Sequence, residues 1–131
     1  MMSKDETRRR TIINLTSDSF IGFVKRPGIS VVLFRAPWCT VCESFEPVFE
    51  EVALDYGDVR FARVDIEADK DLGEALEISH VPTLMIVRDG TLVFRKPGNF
   101  SQDELERIID QARVIDLDEL RSQTRQEVVA G

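Results

Sequence analysis

The sequence predicts an α/β domain: a central mixed β-sheet sandwiched by helices. Three observations predict it. Short apolar runs rich in β-branched residues recur at 30–34, 59–66 and 83–87. Stretches with apolar residues three and four apart separate them. A single Asp-Gly hairpin signal near the end turns an otherwise alternating strand–helix pattern into a mixed sheet. The 131 residues suit one domain. A chain of this length buries roughly two-thirds of its unfolded surface, enough for an ordinary core.

The elements follow in order. Residues 1–10 are polar, end in Arg8, Arg9 and Arg10, and read as a flexible tail before a domain at 11–113. Thr11 to Leu15 predicts a short edge strand. Thr16, Ser17 and Asp18 offer N-cap oxygens to a helix carrying Phe20, Ile21, Phe23 and Val24, which Pro27-Gly28 ends. Ser30 to Phe34 is almost continuously apolar, as expected of a strand buried on both faces. Phe45, Val48, Phe49, Val52, Ala53 and Tyr56 then mark an amphipathic helix, with Gly57 as its C-cap and Pro47 as a kink. Val59 to Ile66 is a second central strand, and a short helix is expected around Asp71 to Leu76. Thr83 to Val87 is a third strand, which Asp89-Gly90 returns along Thr91 to Arg95. Ser101 and Glu104 form a capping-box pattern before Leu105, Ile108 and Ile109. Residues 114–131 form a polar extension. Asp116 to Leu120 could open a helical turn there, and none is assigned.

Composition excludes some classes. With 24 acidic and 17 basic residues the net charge is −7, which argues against non-specific nucleic-acid binding. No apolar run reaches the ~18 residues needed to span a membrane. No apolar segment of signal-peptide length follows the N-terminal bases, so the expected location is the cytoplasm.

The only cysteines, Cys39 and Cys42, sit between the first buried strand and the following helix. A disulfide between them closes a very small loop and adds little entropic stabilisation, so a structural staple is a weak explanation. Residues three apart share one helical turn, so the two sulfurs can meet. Cys39 falls at the helix N-terminus, where unpaired N–H groups and the helix dipole favour a thiolate. Cys42 lies one turn deeper. One activated sulfur and one shielded sulfur suit thiol–disulfide exchange. Metal binding is the competing chemistry, and the chain supplies only these two thiols and His80, so a four-ligand zinc site would need a second chain.

Val31-Val32-Leu33-Phe34-Arg35-Ala36-Pro37-Trp38-Cys39-Thr40-Val41-Cys42, Pro47, Val81-Pro82-Thr83, Asp89-Gly90 and Gly98 together resemble the thioredoxin family over roughly residues 10–113. The resemblance implies the thioredoxin fold. It also implies reduction of disulfide-containing protein substrates, with Cys39 attacking and Cys42 resolving. The groove would be built by Trp38, His80, Val81, Pro82 and Gly98, with Pro82 in the cis form. The electron donor would be a thioredoxin-reductase-like flavoprotein. No cofactor beyond the redox-active cysteine pair is expected, and the chain would act as a monomer. The alternative is a thioredoxin-fold adaptor or holdase that uses the groove without efficient turnover; a third reading is a disulfide-forming oxidant.

Three departures from the family pattern stand out. Thr40-Val41 replaces the usual Gly-Pro between the cysteines, and Thr40 could donate a hydrogen bond to the thiolate. Leu33 occupies the position of a buried Asp that assists the resolving thiol, while Arg63 stands where a Lys is frequent. Leu33 alone predicts a slow second step near neutral pH. Arg35 replaces an aromatic residue on the same sheet face as Leu33. Its guanidinium either tunes the Cys39 thiolate or simply pairs with Glu67 or Asp65. Glu46, Glu50 and the other helix acids read as solvated surface.

Overall fold

The computed structural model describes the backbone of residues 12–130 and the side chains of residues 12–123. The tail read into residues 1–10 lies outside them, as does Thr11. In chain order the elements are β1 (Ile12–Asn14), α1 (Phe20–Val24), β2 (Ile29–Arg35), α2 (Thr40–Asp55), β3 (Arg60–Asp65), α3 (Lys70–Ala75), β4 (Thr83–Arg88), β5 (Thr91–Pro97), α4 (Gln102–Val114) and α5 (Leu117–Ala130).

The sheet runs in the order β1-β3-β2-β4-β5. β1, β3 and β2 are parallel, and β4 and β5 add antiparallel to them. β2 is central, and its residues Ile29 to Phe34 are all buried, as a run flanked on both faces requires. Alternation along the strands divides the core in two. On one face, Val31, Leu33, Phe61, Leu84 and Ile86 pack under Phe45, Phe49 and Val52 of α2 and Leu105 and Ile109 of α4. On the other, Val32, Phe34, Val64 and Met85 meet Phe20 and Phe23 of α1 and Leu72 of α3. The helices therefore sandwich the sheet, and α2 is fixed over the C-terminal end of β2.

Two turn signals behave as their chemistry dictates. Asp89 and Gly90 both take positive φ (50° and 78°), which the tight hairpin between β4 and β5 demands. Ser101 and Glu104 make both hydrogen bonds of a capping box at the start of α4. Other expectations need correction. The N-cap of α1 is Ser19, and its side chain makes no capping bond. Ser17 is instead drawn away, because its N–H and hydroxyl donate to the Asp69 carboxylate, at 2.6 and 2.8 Å. The C-cap of α2 is Tyr56, and Gly57 does not take the left-handed conformation. Pro47 does lie inside α2, on its exposed side. The extension, to which the sequence pattern assigned no helix, forms α5. Its start is tied to the β4–β5 hairpin, where Arg88 Nη1 donates to the Ile115 carbonyl at 2.7 Å and Arg121 Nη2 donates to Thr91 Oγ1 at 2.7 Å.

Tyr56 links the end of α2 to α4. Its hydroxyl donates to Asp110 Oδ1 at 3.0 Å. Burial, with the Asp110 carboxylate beside it, pushes the phenol from 10.0 to about 12. The folded state thus favours the neutral phenol. That contribution is complete below pH 10 and is lost as pH rises through about 12. Tyr56 is the only tyrosine in the chain, so its ultraviolet titration is readable directly. The expected midpoint lies near 12 and falls toward 10 in Asp110→Asn; a wild-type midpoint near 10 would refute the link.

Candidate active site

The site forms where β2 ends and α2 begins. Cys39 is the N-cap of α2, extended at φ −88° and ψ 104°, and its Sγ accepts a hydrogen bond from the Cys42 N–H at 3.1 Å. That N–H is one of the orphan donors of the helix start, aimed at the sulfur that would carry negative charge after reduction. Cys39 and Cys42 are joined in a disulfide, with Cα atoms 5.2 Å apart. Cys39 is 5 % exposed and Cys42 is fully buried, among Ala36, Ile66 and Val81. The two cysteines therefore differ in position: Cys39 caps the helix and Cys42 lies within its first turn.

The segment before β4 closes the site from the other side. The Val81–Pro82 peptide is cis, as the resemblance implied. The Val81 carbonyl oxygen lies 3.6 Å from Cys39 Sγ. Two bonds hold the loop: Thr83 Oγ1 donates to the His80 carbonyl at 2.6 Å, and the Gly98 N–H donates to the Pro82 carbonyl at 2.9 Å. Gly98 has φ of 126°, a conformation that side chains rarely adopt, so glycine is needed there. His80 and Gly98 are exposed, Val81 is half-buried and Pro82 is buried. Trp38 is 65 % exposed and is steadied by one bond, from Nε1 to Glu67 Oε1 at 2.8 Å. Val41 and Thr40 are exposed on the first turn of α2.

A charge cluster lies on the same sheet face as the fully buried Leu33. Arg35 Nε is 2.9 Å from Glu46 Oε1, and Arg35 Nη1 is 3.2 Å from Asp65 Oδ2. Arg63 Nη1 is 3.5 Å from Glu46 Oε1, and Arg63 Nη2 is 3.7 Å from Glu50 Oε1. Asp65 is thus a partner of Arg35 as expected. Glu67 is turned to Trp38 and Lys70 instead. Reading Glu46 as solvated surface is corrected: its side chain is only 18 % exposed and sits between two guanidinium groups. The sequence did carry a signal. Glu46 falls four residues after Cys42, on the same helix face, with Arg35 and Arg63 on the strands beneath.

Comparison with known proteins agrees with this geometry. A family model described as thioredoxin matches residues 11–111. The chain belongs to the thioredoxin family. Among its relatives, "Putative thioredoxin 2" of Streptomyces coelicolor is 39 % identical over 120 residues, covering 91 % of this chain and 90 % of that protein. "Thioredoxin C-2" of Corynebacterium nephridii is 32 % identical, over 77 % of this chain and 95 % of its own. The solved structure of oxidised mitochondrial thioredoxin 3 from Saccharomyces cerevisiae superimposes with a TM-score of 0.72 at 28 % identity, covering 79 % of this chain and 98 % of that one. This thioredoxin-family protein is a thiol–disulfide oxidoreductase, a disulfide reductase of thioredoxin type with a C-x-x-C pair. The adaptor or holdase reading is not favoured. Among the described residues no group of three or more His, Cys, Asp or Glu is placed to hold a metal ion, and no helix is long and apolar enough to cross a membrane.

Proposed function

We propose that Cys39 is the attacking thiol and Cys42 the resolving thiol in the reduction of protein disulfides. The observation that supports this reading is the difference between the two cysteines: Cys39 is the N-cap of α2 and 5 % exposed, whereas Cys42 lies within the first turn and is fully buried. The Cys39 thiolate attacks a substrate disulfide and displaces one substrate thiolate. Cys42 then attacks Cys39 Sγ of the mixed disulfide, releasing the second substrate thiol and leaving Cys39–Cys42 oxidised. The pair carries both electrons, so no further cofactor is required.

Trp38, His80, Val81, Pro82 and Gly98 form the substrate groove in this reading. The Val81 backbone, already against Cys39, pairs with the substrate segment as an added strand. We assign thiolate stabilisation chiefly to the Cys42 N–H and the helix N-terminus. Arg35 is a weaker contributor, since two carboxylates share its charge. Thr40, exposed on the first turn, adds a hydroxyl to the thiolate's surroundings. A thioredoxin-reductase-like flavoprotein returns the electrons, and the chain works as a monomer in the cytoplasm.

Equilibration with glutathione tests the direction of the cycle. A general reductase is expected near −270 mV, about the value of thioredoxin itself. A potential of about −120 to −180 mV would overturn the reductase reading in favour of an oxidant or isomerase.

A further inference from the structure

Resolution by Cys42 requires its proton to leave, and β2 supplies no group to take it. Leu33 is fully buried and stands directly beside Arg63 in the β2–β3 register. Arg63 therefore meets no carboxylate from the neighbouring strand position. It is met from the helix above. Glu46 follows Cys42 by one turn on the same face of α2, and helical side chains lean toward the helix N-terminus. The Glu46 carboxylate thus leans over the turn that carries Cys42. Arg35 at 2.9 Å and Arg63 at 3.5 Å hold it there. Glu46 also lines a cleft of about 490 Å³, together with Arg35, Arg63, Asp65 and Asp69. Glu46 therefore lines this cleft from the helix face that carries Cys42.

We propose that Glu46 accepts the proton of Cys42, as a carboxylate supplied from α2 where β2 carries Leu33, with Arg35 and Arg63 as positioning residues. The proposal rests on the roles given above to Cys39 and Cys42. With a substrate sulfur joined to Cys39, the Cys42 proton passes to Glu46, directly or through a water of the cleft. The Cys42 Sγ–Cys39 Sγ bond forms as the bond from Cys39 to the substrate sulfur breaks, and its electron pair leaves on the substrate thiolate. The cysteine pair is oxidised by two electrons and the substrate is reduced by two. Glu46 then returns the proton to cleft water. When an electron donor reopens the disulfide, the same path returns a proton to Cys42. The charged groups facing Glu46 are Arg35 and Asp65 at the end of the sheet, Arg63 on β3, Glu50 on its own helix and Asp69 across the cleft.

Stopped-flow reaction of the reduced full chain with dithiobis(nitrobenzoate) separates the two steps. The first thionitrobenzoate reports attack by Cys39, and the second reports resolution by Cys42. In Glu46→Gln the second phase is expected to slow by about 10- to 100-fold at pH 7 and to recover as pH rises, because hydroxide replaces the missing acceptor. The first phase is expected to stay unchanged. Glu46→Asp, which keeps a carboxylate, is expected to restore much of the second phase. Glu50→Gln, which removes the carboxylate one turn farther from Cys42, is expected to leave it as in the wild type. An unchanged second phase in Glu46→Gln would overturn the proposal, as would equal slowing of both phases at every pH. A wild-type chain that releases only one thionitrobenzoate would overturn the role of Cys42 itself, and the proposal with it.

Discussion

Replacing Cys39 by alanine is expected to lower disulfide reduction by about 10³-fold or more, to the rate of the added dithiol alone. In the proposed cycle every covalent step passes through this sulfur, which caps the start of α2 and lies 3.6 Å from the Val81 carbonyl. No neighbouring group can take its place: Cys42 is fully buried, and no other cysteine exists in the chain. Cys42→Ser is expected to fail differently. Cys39 still attacks, no thiol releases it, and the chain accumulates as a mixed disulfide with its substrate. Mass spectrometry of the non-reduced product distinguishes the two variants. An adduct on Cys39→Ala, or none on Cys42→Ser, would reverse or remove the assigned roles. The trapped Cys42→Ser adduct would also identify natural substrates by their bound peptide.

Phe49→Ala is expected to cost about 3–5 kcal/mol of stability. Phe49 is 1 % exposed, and its ring lies 5.4 Å from that of Phe61 on β3 and 6.1 Å from that of Phe45 on α2. It therefore pins the active-site helix to the sheet. A ring-sized void there removes dispersion contacts on every side, and a close-packed core relaxes into it only in part. Against a total stability of ~5–15 kcal/mol this is a large fraction. The melting temperature should fall by about 10–20 °C. Denaturant unfolding followed by the fluorescence of Trp38 measures the change. A loss under ~1 kcal/mol would mean that α2 does not depend on this contact for its seat. Activity per folded molecule is expected to persist, because Phe49 belongs to the main core cluster and not to the residues packed around the cysteines.

Most of the fold was legible because each element carries its own local signal. The continuous run Ser30 to Phe34 pointed to a strand covered on both faces, and Ser101 with Glu104 marked the start of α4 to the residue. Two of the misses share a cause. Ser17 had a better partner in Asp69, 52 positions away, than in the helix beside it. Residues 117–130 have a weak apolar stripe, and their helix is anchored through Arg88 and Arg121 to the distant hairpin. A pattern read within a short window does not contain such partners.

The candidate site divides in the same way. By itself the sequence determined which sulfurs are present, their spacing, and which one lies at the helix start, since strand, turn and helix follow one another without a break from Val31 to Tyr56. It determined too that Leu33 is a buried side chain with no proton to exchange. Only the tertiary structure decided what faces these residues. It placed the Val81 carbonyl, 42 positions on, at 3.6 Å from Cys39, and it brought Arg35 and Arg63 from two strands onto one carboxylate of α2. The physical reason is that a covalent neighbour is fixed by the chain, whereas the neighbour across a packed interface is fixed by how sheet and helix bury their apolar faces. Glu46 reads as one more surface acid until that burial turns it inward.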